Sequence, residues 1–102
     1  MEKREIIWSH SAKIKLFEIL DFYKSRNQSS EYSKKLFSKI NRNIAFLKKY
    51  PEIGTKTDIS GVRALSVENY LLFYETEPQK IIILSMWDTR QNPLRIPIKK
   101  QQ

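Results

Sequence analysis

The run Gly61-Val62-Arg63-Ala64-Leu65-Ser66-Val67, then Glu68-Asn69, then Tyr70-Leu71-Leu72-Phe73-Tyr74-Glu75 is rich in β-branched and aromatic residues. A polar break at Thr76 to Gln79 follows, then Lys80-Ile81-Ile82-Ile83-Leu84-Ser85-Met86-Trp87, closing on Asp88-Thr89-Arg90-Gln91-Asn92-Pro93. Three such runs separated by short polar breaks predict a three-strand antiparallel meander. Asn69 tolerates the left-handed backbone that a tight hairpin needs, and Pro78 has no N–H to give to a ladder, so each break has a mechanism. Alternation along the second run puts Tyr70, Leu72 and Tyr74 on one face and Leu71 and Phe73 on the other. The third run likewise sets Ile81 and Ile83 against Ile82 and Leu84. Both faces of the meander are therefore apolar.

Upstream, Arg4-Glu5-Ile6-Ile7-Trp8 is a short strand, too short to stand without the meander. Ser9 or Ser11 offers an N-cap. Ala12, Leu16, Ile19, Leu20 and Tyr23, with Phe17 beside them, then fall at helical spacing. Arg26 to Ser30 interrupts that pattern. A second helix follows, with Tyr32, Leu36, Phe37, Ile40, Ile44 and Leu47 on one side and Lys34, Lys35, Lys39, Arg42 and Lys48 largely away from it. Pro51 stops it. The short break predicts an antiparallel helical hairpin. Glu52 to Ser60 reads as a polar loop, and the prolines after Asn92 predict an extended or frayed tail. The expected fold is α+β: one domain over residues 1–102, an antiparallel twisted sheet of the N-terminal strand plus the meander, and the hairpin on one face. One hairpin covers one face only. The other is shielded by the tail and loops or completed by a partner protein.

Composition narrows the chemistry. The 102 residues include no cysteine and a single histidine, His10. That rules out a thiolate metal site and leaves no spacing for any other metal, so neither a metal nor a cofactor is expected. No run approaches membrane-spanning length, and the N-terminal residues lack the apolar core of a signal peptide, so a soluble cytoplasmic protein is expected. The net charge of +8 speeds encounter with a polyanion or an acidic protein, and describes an ordinary basic surface equally well. The chemistry that remains is cationic. Arg63 and Arg90 bracket the meander and Lys56 precedes it; planar guanidinium groups suit phosphate or carboxylate and stabilise charge without a metal. The plainer reading makes both arginines ion-pair partners, Arg90 with Asp88 or Glu75. Trp87 is a base-stacking platform or simply the packed end of a strand, and the lysines of the second helix read as its solvated face.

The ordered set Trp8-Ser9, Tyr50-Pro51-Glu52-Ile53-Gly54, Gly61-Val62-Arg63 with Val67, Tyr70-Leu71-Leu72-Phe73-Tyr74 and Arg90 resembles the RelE/ParE superfamily, the toxins of bacterial type II toxin–antitoxin modules. The resemblance spans about Ile6 to Pro93. It implies a toxin that inhibits growth, as in plasmid stabilization, and a cognate antitoxin, acidic or amphipathic, that wraps and neutralises it. RelE-like members cut mRNA on the ribosome with basic residues and a late Tyr or His; ParE-like members poison DNA gyrase. Arg63 matches a cation of both groups and Arg90 the late arginine. Trp87 stands where many relatives have His, and no Tyr or His follows Arg90. The long hairpin and the Tyr-Pro-Glu-Ile-Gly string tilt the expectation to a ParE-like toxin. The alternatives are a metal-independent ribonuclease using Arg63, Arg90 and Lys56, with Trp87 and Gln91 touching RNA or target, and a non-toxic basic binding domain.

Overall fold

The computed structural model describes residues 4–90. Its elements in chain order are β1 (Glu5–Trp8), α1 (His10–Asn27), α2 (Glu31–Lys49), β2 (Thr55–Lys56), β3 (Val62–Val67), β4 (Tyr70–Thr76) and β5 (Lys80–Asp88). The five strands form one sheet in the order β1-β5-β4-β3-β2. Helices and meander stand as the sequence predicts, and α1 and α2 pack on each other, with α1 against β5 and α2 against β1 and β3.

Three details differ. The edge strand β1 lies parallel to β5, Ile6 opposite Ile81 and Trp8 opposite Ile83, so the sheet is mixed rather than wholly antiparallel. The reason is the number of reversals. Helix α1 continues in the sense of β1, α2 returns, β3 goes out, β4 returns and β5 goes out again, which leaves β5 running with β1. Second, the predicted loop after α2 contributes a short strand, β2, on the opposite edge, pairing Thr55 with Ala64 and Lys56 with Arg63. Third, the β3–β4 hairpin puts Glu68, not Asn69, in the left-handed region at φ 55°. The Glu68 side chain forms an ion pair with Lys39 of α2.

Local signals account for the helix ends. Ser9 caps α1, its hydroxyl accepting from Ala12 N–H at 3.1 Å and donating to the Leu84 carbonyl at 2.9 Å, so one residue starts the helix and ties it to β5. Gln28 ends α1 in a left-handed conformation, and Ser33 on α2 donates to the Leu20 carbonyl across the hairpin at 2.6 Å. The main core lies between sheet and hairpin: Ala12, Leu16 and Ile19 of α1, Leu36, Ile40, Ile44 and Leu47 of α2, and Tyr70, Leu72, Tyr74, Ile81, Ile83 and Met86 of the meander. Phe17, Tyr32 and Phe37, read from spacing as part of the buried stripes, are exposed.

A bulge in β5 decides which residues reach that core. Tyr74 pairs with Ile83 but Phe73 pairs with Ser85, leaving Leu84 as the extra residue. Strict alternation from Ile81 and Ile83 would send Ser85 and Trp87 inward. The extra residue resets the phase, so Met86 joins the core and Trp87 turns to the opposite face. There Trp87, Phe73 and Val62 form a second buried cluster, with Ile59, Ala64, Leu71 and Leu84 against it. Ile59 is a loop residue, as the loop-shielding alternative anticipates. The tail's share in covering this face lies outside the described residues.

Candidate functional site

The residues singled out by sequence occupy two separate places. Lys56 and Arg63 face each other across β2 and β3, and Arg63 is in turn level with Tyr74 of β4. Arg63 and Tyr74 grip the same turn. The Arg63 guanidinium donates to the carbonyls of Gly54 at 2.8 Å and Glu52 at 3.2 Å, with the Glu52 carboxylate at 3.7 Å. The Tyr74 hydroxyl donates to the Pro51 carbonyl at 2.8 Å and accepts from Gly54 N–H at 2.9 Å. Burial holds the Tyr74 phenol above its ordinary pKa. Gly54 is there because nothing larger fits: a Cβ would lie 2.6 Å from the Tyr74 oxygen and 2.9 Å from the Ala64 carbonyl. The Tyr-Pro-Glu-Ile-Gly string is thus a docked turn, locked to the sheet by one arginine and one tyrosine.

Outside this brace lies a cleft of about 440 Å³ bordered by Arg4, Lys56, Arg63, Thr57, Ser60 and Thr76. It gathers three cations and three hydroxyls, with Glu52 among them, at one end of the sheet's strands. Sequence reasoning did not connect Arg4 with it; only the register does so, which sets the start of β1 level with the end of β4 and the start of β5.

Arg90 is elsewhere. Arg63 is level with Tyr74 and hence with Ile83, whereas Asp88, the anchor of Arg90, is level with Tyr70, five residues further along β5. With the bulge residue discounted, four steps at about 3.3 Å per residue put Arg63 and the anchor of Arg90 ~13 Å apart along the strand direction alone. Arg63, Lys56 and Arg90 therefore do not form one constellation. Arg90 forks onto Asp88, donating to Oδ1 at 3.0 Å and Oδ2 at 2.9 Å, and gives a further N–H to the Tyr23 hydroxyl at 3.1 Å. This is the ion pair of the plainer reading.

A tyrosine does stand beside Arg90, but it comes from α1 and not from the residues after Arg90. The Tyr23 hydroxyl also accepts from Tyr70 at 3.1 Å. Donation by Tyr70, then by Arg90, lowers the Tyr23 pKa, while burial and the same contact raise that of Tyr70. Asp88 is held below the usual carboxylate range by Arg90. Tyr23 is packed edge-on against Phe22 and Tyr32 at centroid distances of 5.2 and 4.7 Å. No spacing in the sequence links Tyr23 to Arg90, since they are 67 residues apart. Trp87 is 8% exposed and packs in the second cluster, so it offers no free ring face for a base. Gln91 lies outside the described residues.

A helical hairpin over one face of a five-stranded mixed sheet, with a docked Tyr-Pro-Glu-Ile-Gly turn and a cationic cleft at one end of the strands, defines a small α+β domain. The model of the ParE toxin of the type II toxin–antitoxin system, parDE, matches residues 6–93, and the chain belongs to that family. Among solved structures, one described as the chromosomal ParDE TA system from P. aeruginosa superposes with a TM-score of 0.71 at 21% identity, covering 84% of this chain and 96% of that one. At that identity the likeness is one of fold. No curated protein sequence matches the chain. Among the described residues no helix is long and apolar enough to cross a membrane.

Proposed function

We propose that this ParE-family toxin poisons DNA gyrase and is neutralised by a cognate antitoxin. The observation that carries the reading is the family match over residues 6–93. The geometry supports it in one respect. Both arginines that a ribonuclease would use are engaged within the fold, Arg63 on backbone carbonyls and Arg90 on Asp88, at opposite ends of the sheet. The P. aeruginosa structure is that of a ParDE toxin–antitoxin system, and the surplus of 19 basic over 11 acidic residues here suits an acidic or amphipathic antitoxin segment.

The test is a supercoiling assay with purified gyrase and excess toxin. Loss of supercoiling, relieved by the antitoxin, is the expected result; normal supercoiling at saturating toxin overturns the target assignment. The ribosome-dependent nuclease is the second reading, favoured by the grouping of Arg4, Lys56 and Arg63 on one cleft. Mapping mRNA 5′ ends in a translating extract separates the two, because only the nuclease leaves cuts in ribosome-bound message. Strong expression without any growth defect would leave the non-toxic binding domain.

A further inference from the structure

The charge of this molecule is unevenly spread. Helix α2 carries six of the basic residues, Lys34, Lys35, Lys39, Arg42, Lys48 and Lys49, against a single acid, Glu31. Among the described residues the ion pairs are Lys39–Glu68, Arg63–Glu52, Lys80–Glu77 and Arg90–Asp88, so Lys39 alone of those six has a carboxylate partner there. Three of the other five, Lys35, Arg42 and Lys49, are exposed and recur every seven residues. Seven residues is close to two helical turns, so the three lie on one nearly straight line about 21 Å long. Phe46 is the aromatic on that line and is 51% exposed. The buried residues Ser33, Leu36, Ile40, Ile44 and Leu47 occupy the opposite side of the helix, so the line faces solvent with no structural task in the core.

We infer that this face of α2 binds the phosphate backbone of a nucleic acid. The line is as long as about six base-pair steps of a duplex axis at ~3.4 Å each. Backbone recognition needs cations and little apolar surface, whereas an acidic protein segment would need a cluster of apolar anchors that this line lacks. Phe46, set between Arg42 and Lys49 on a shallow cleft, offers one ring face to an unpaired base. The surface is separate from the cleft of Arg4, Lys56 and Arg63, and the inference holds whichever target the toxin has.

The experiment is fluorescence anisotropy of the full chain with a labelled 20-nucleotide DNA strand, the same sequence as a duplex, and a poly-glutamate peptide, from 50 to 200 mM salt. Three phosphate contacts give a slope of log K on log salt of about −2.7 for the duplex and about −2.1 for the single strand, falls of about 40-fold and about 18-fold over that range. The variant Lys35→Gln/Arg42→Gln/Lys49→Gln should flatten the slope to near zero and lower affinity at 50 mM salt more than about tenfold. A charge-matched control on α1, Lys13→Gln/Lys24→Gln/Arg26→Gln, should keep at least two-thirds of the slope. Equal losses in both variants would overturn the inference, since only diffuse charge would then be acting. So would absence of binding by the unaltered chain at 50 mM salt, or tighter binding to poly-glutamate than to either DNA. Loss on Phe46→Ala confined to the single strand would support the inference and assign the single strand as ligand. An equal, Phe46-independent affinity for the duplex would support it as backbone binding alone.

Discussion

Tyr74→Phe isolates the brace that holds the docked turn. The ring is wholly buried, and the substitution removes one oxygen without changing the packing around it. That oxygen serves two backbone groups at once, the Gly54 N–H at 2.9 Å and the Pro51 carbonyl at 2.8 Å. Gly54 is buried, so its N–H has no access to water once the acceptor is gone, and an orphaned buried donor costs about 1–3 kcal/mol. Pro51 is half-buried, and its carbonyl recovers part of its loss from solvent, leaving about 0.5–1 kcal/mol. The expected destabilisation is about 1.5–4 kcal/mol, a fall in Tm on the order of 7–20 °C at about 5 °C per kcal/mol for a domain of this size. Thermal and urea unfolding with unchanged m-value would measure it.

The partner variant Arg63→Gln removes the other half of the grip, and the two should couple. Once the turn is loose, the remaining contact has less to hold, so the double variant should lose about 0.5–2 kcal/mol less than the sum of the singles. A Tyr74→Phe protein within about 0.5 kcal/mol of the parent, below the usual cost of an orphaned donor, would refute the reasoning. Strict additivity with Arg63→Gln would show that the two residues hold the turn independently.

Gly54→Ala should be harsher than a helix-surface alanine. Its Cβ meets Tyr74 Cε1 at 2.7 Å as well as the oxygen, so a loss of about 1–3 kcal/mol is expected, and Tyr74→Phe should not rescue it. Ser9→Ala removes both the cap on Ala12 N–H and the bond to the Leu84 carbonyl, for about 1–2 kcal/mol by chemical denaturation; Ser9→Thr should keep most of it. Arg90→Gln should move the Tyr23 phenol titration, followed by absorbance at 295 nm, to higher pH. The folded Asp88 pKa is depressed, so its ion pair stabilises above the unfolded carboxylate value and the effect fades as pH falls through the folded one. The Tm deficit of Arg90→Gln should therefore be present at pH 7 and shrink at pH 3; an unchanged deficit at pH 3 would count against the pair.

What sequence made legible was whatever local physics controls. The hairpin is written in the spacing of Leu16, Ile19, Leu36, Ile40 and Leu47 and in the stops at Ser30 and Pro51. The meander is written in its three runs and their breaks. Two things escaped for non-local reasons. The direction of β1 depends on counting every reversal between it and β5, which no single segment records. The bulge at Leu84 depends on how β5 fits β4, and without it Trp87 reads equally well as an exposed ring or a buried one. The pairing of Tyr23 with Arg90 belongs to the same class, since it exists only because α1 lies across the end of β5. The left-handed residue of the two-residue hairpin loop is its first, Glu68, and not Asn69, a matter of turn type that side-chain preference alone does not record.

The residues that mark this chain as a ParE-family toxin are, by their contacts, residues that build the domain. Arg63, Tyr74 and Gly54 exchange hydrogen bonds around one turn, and Arg90 is spent on Asp88 and Tyr23. A signature made of such contacts is maintained by the fold, so these residues identify the family without themselves having to touch a target. The cleft of Arg4 and Lys56 is a surface the fold leaves free of that duty. It follows that loss of toxicity in Arg63→Gln says nothing about target contact unless Tyr74→Phe, equally destabilised but with every cation intact, stays toxic. Toxicity lost in both to the same degree would assign Arg63 to the brace. Toxicity lost in Arg63→Gln alone would return it to the site.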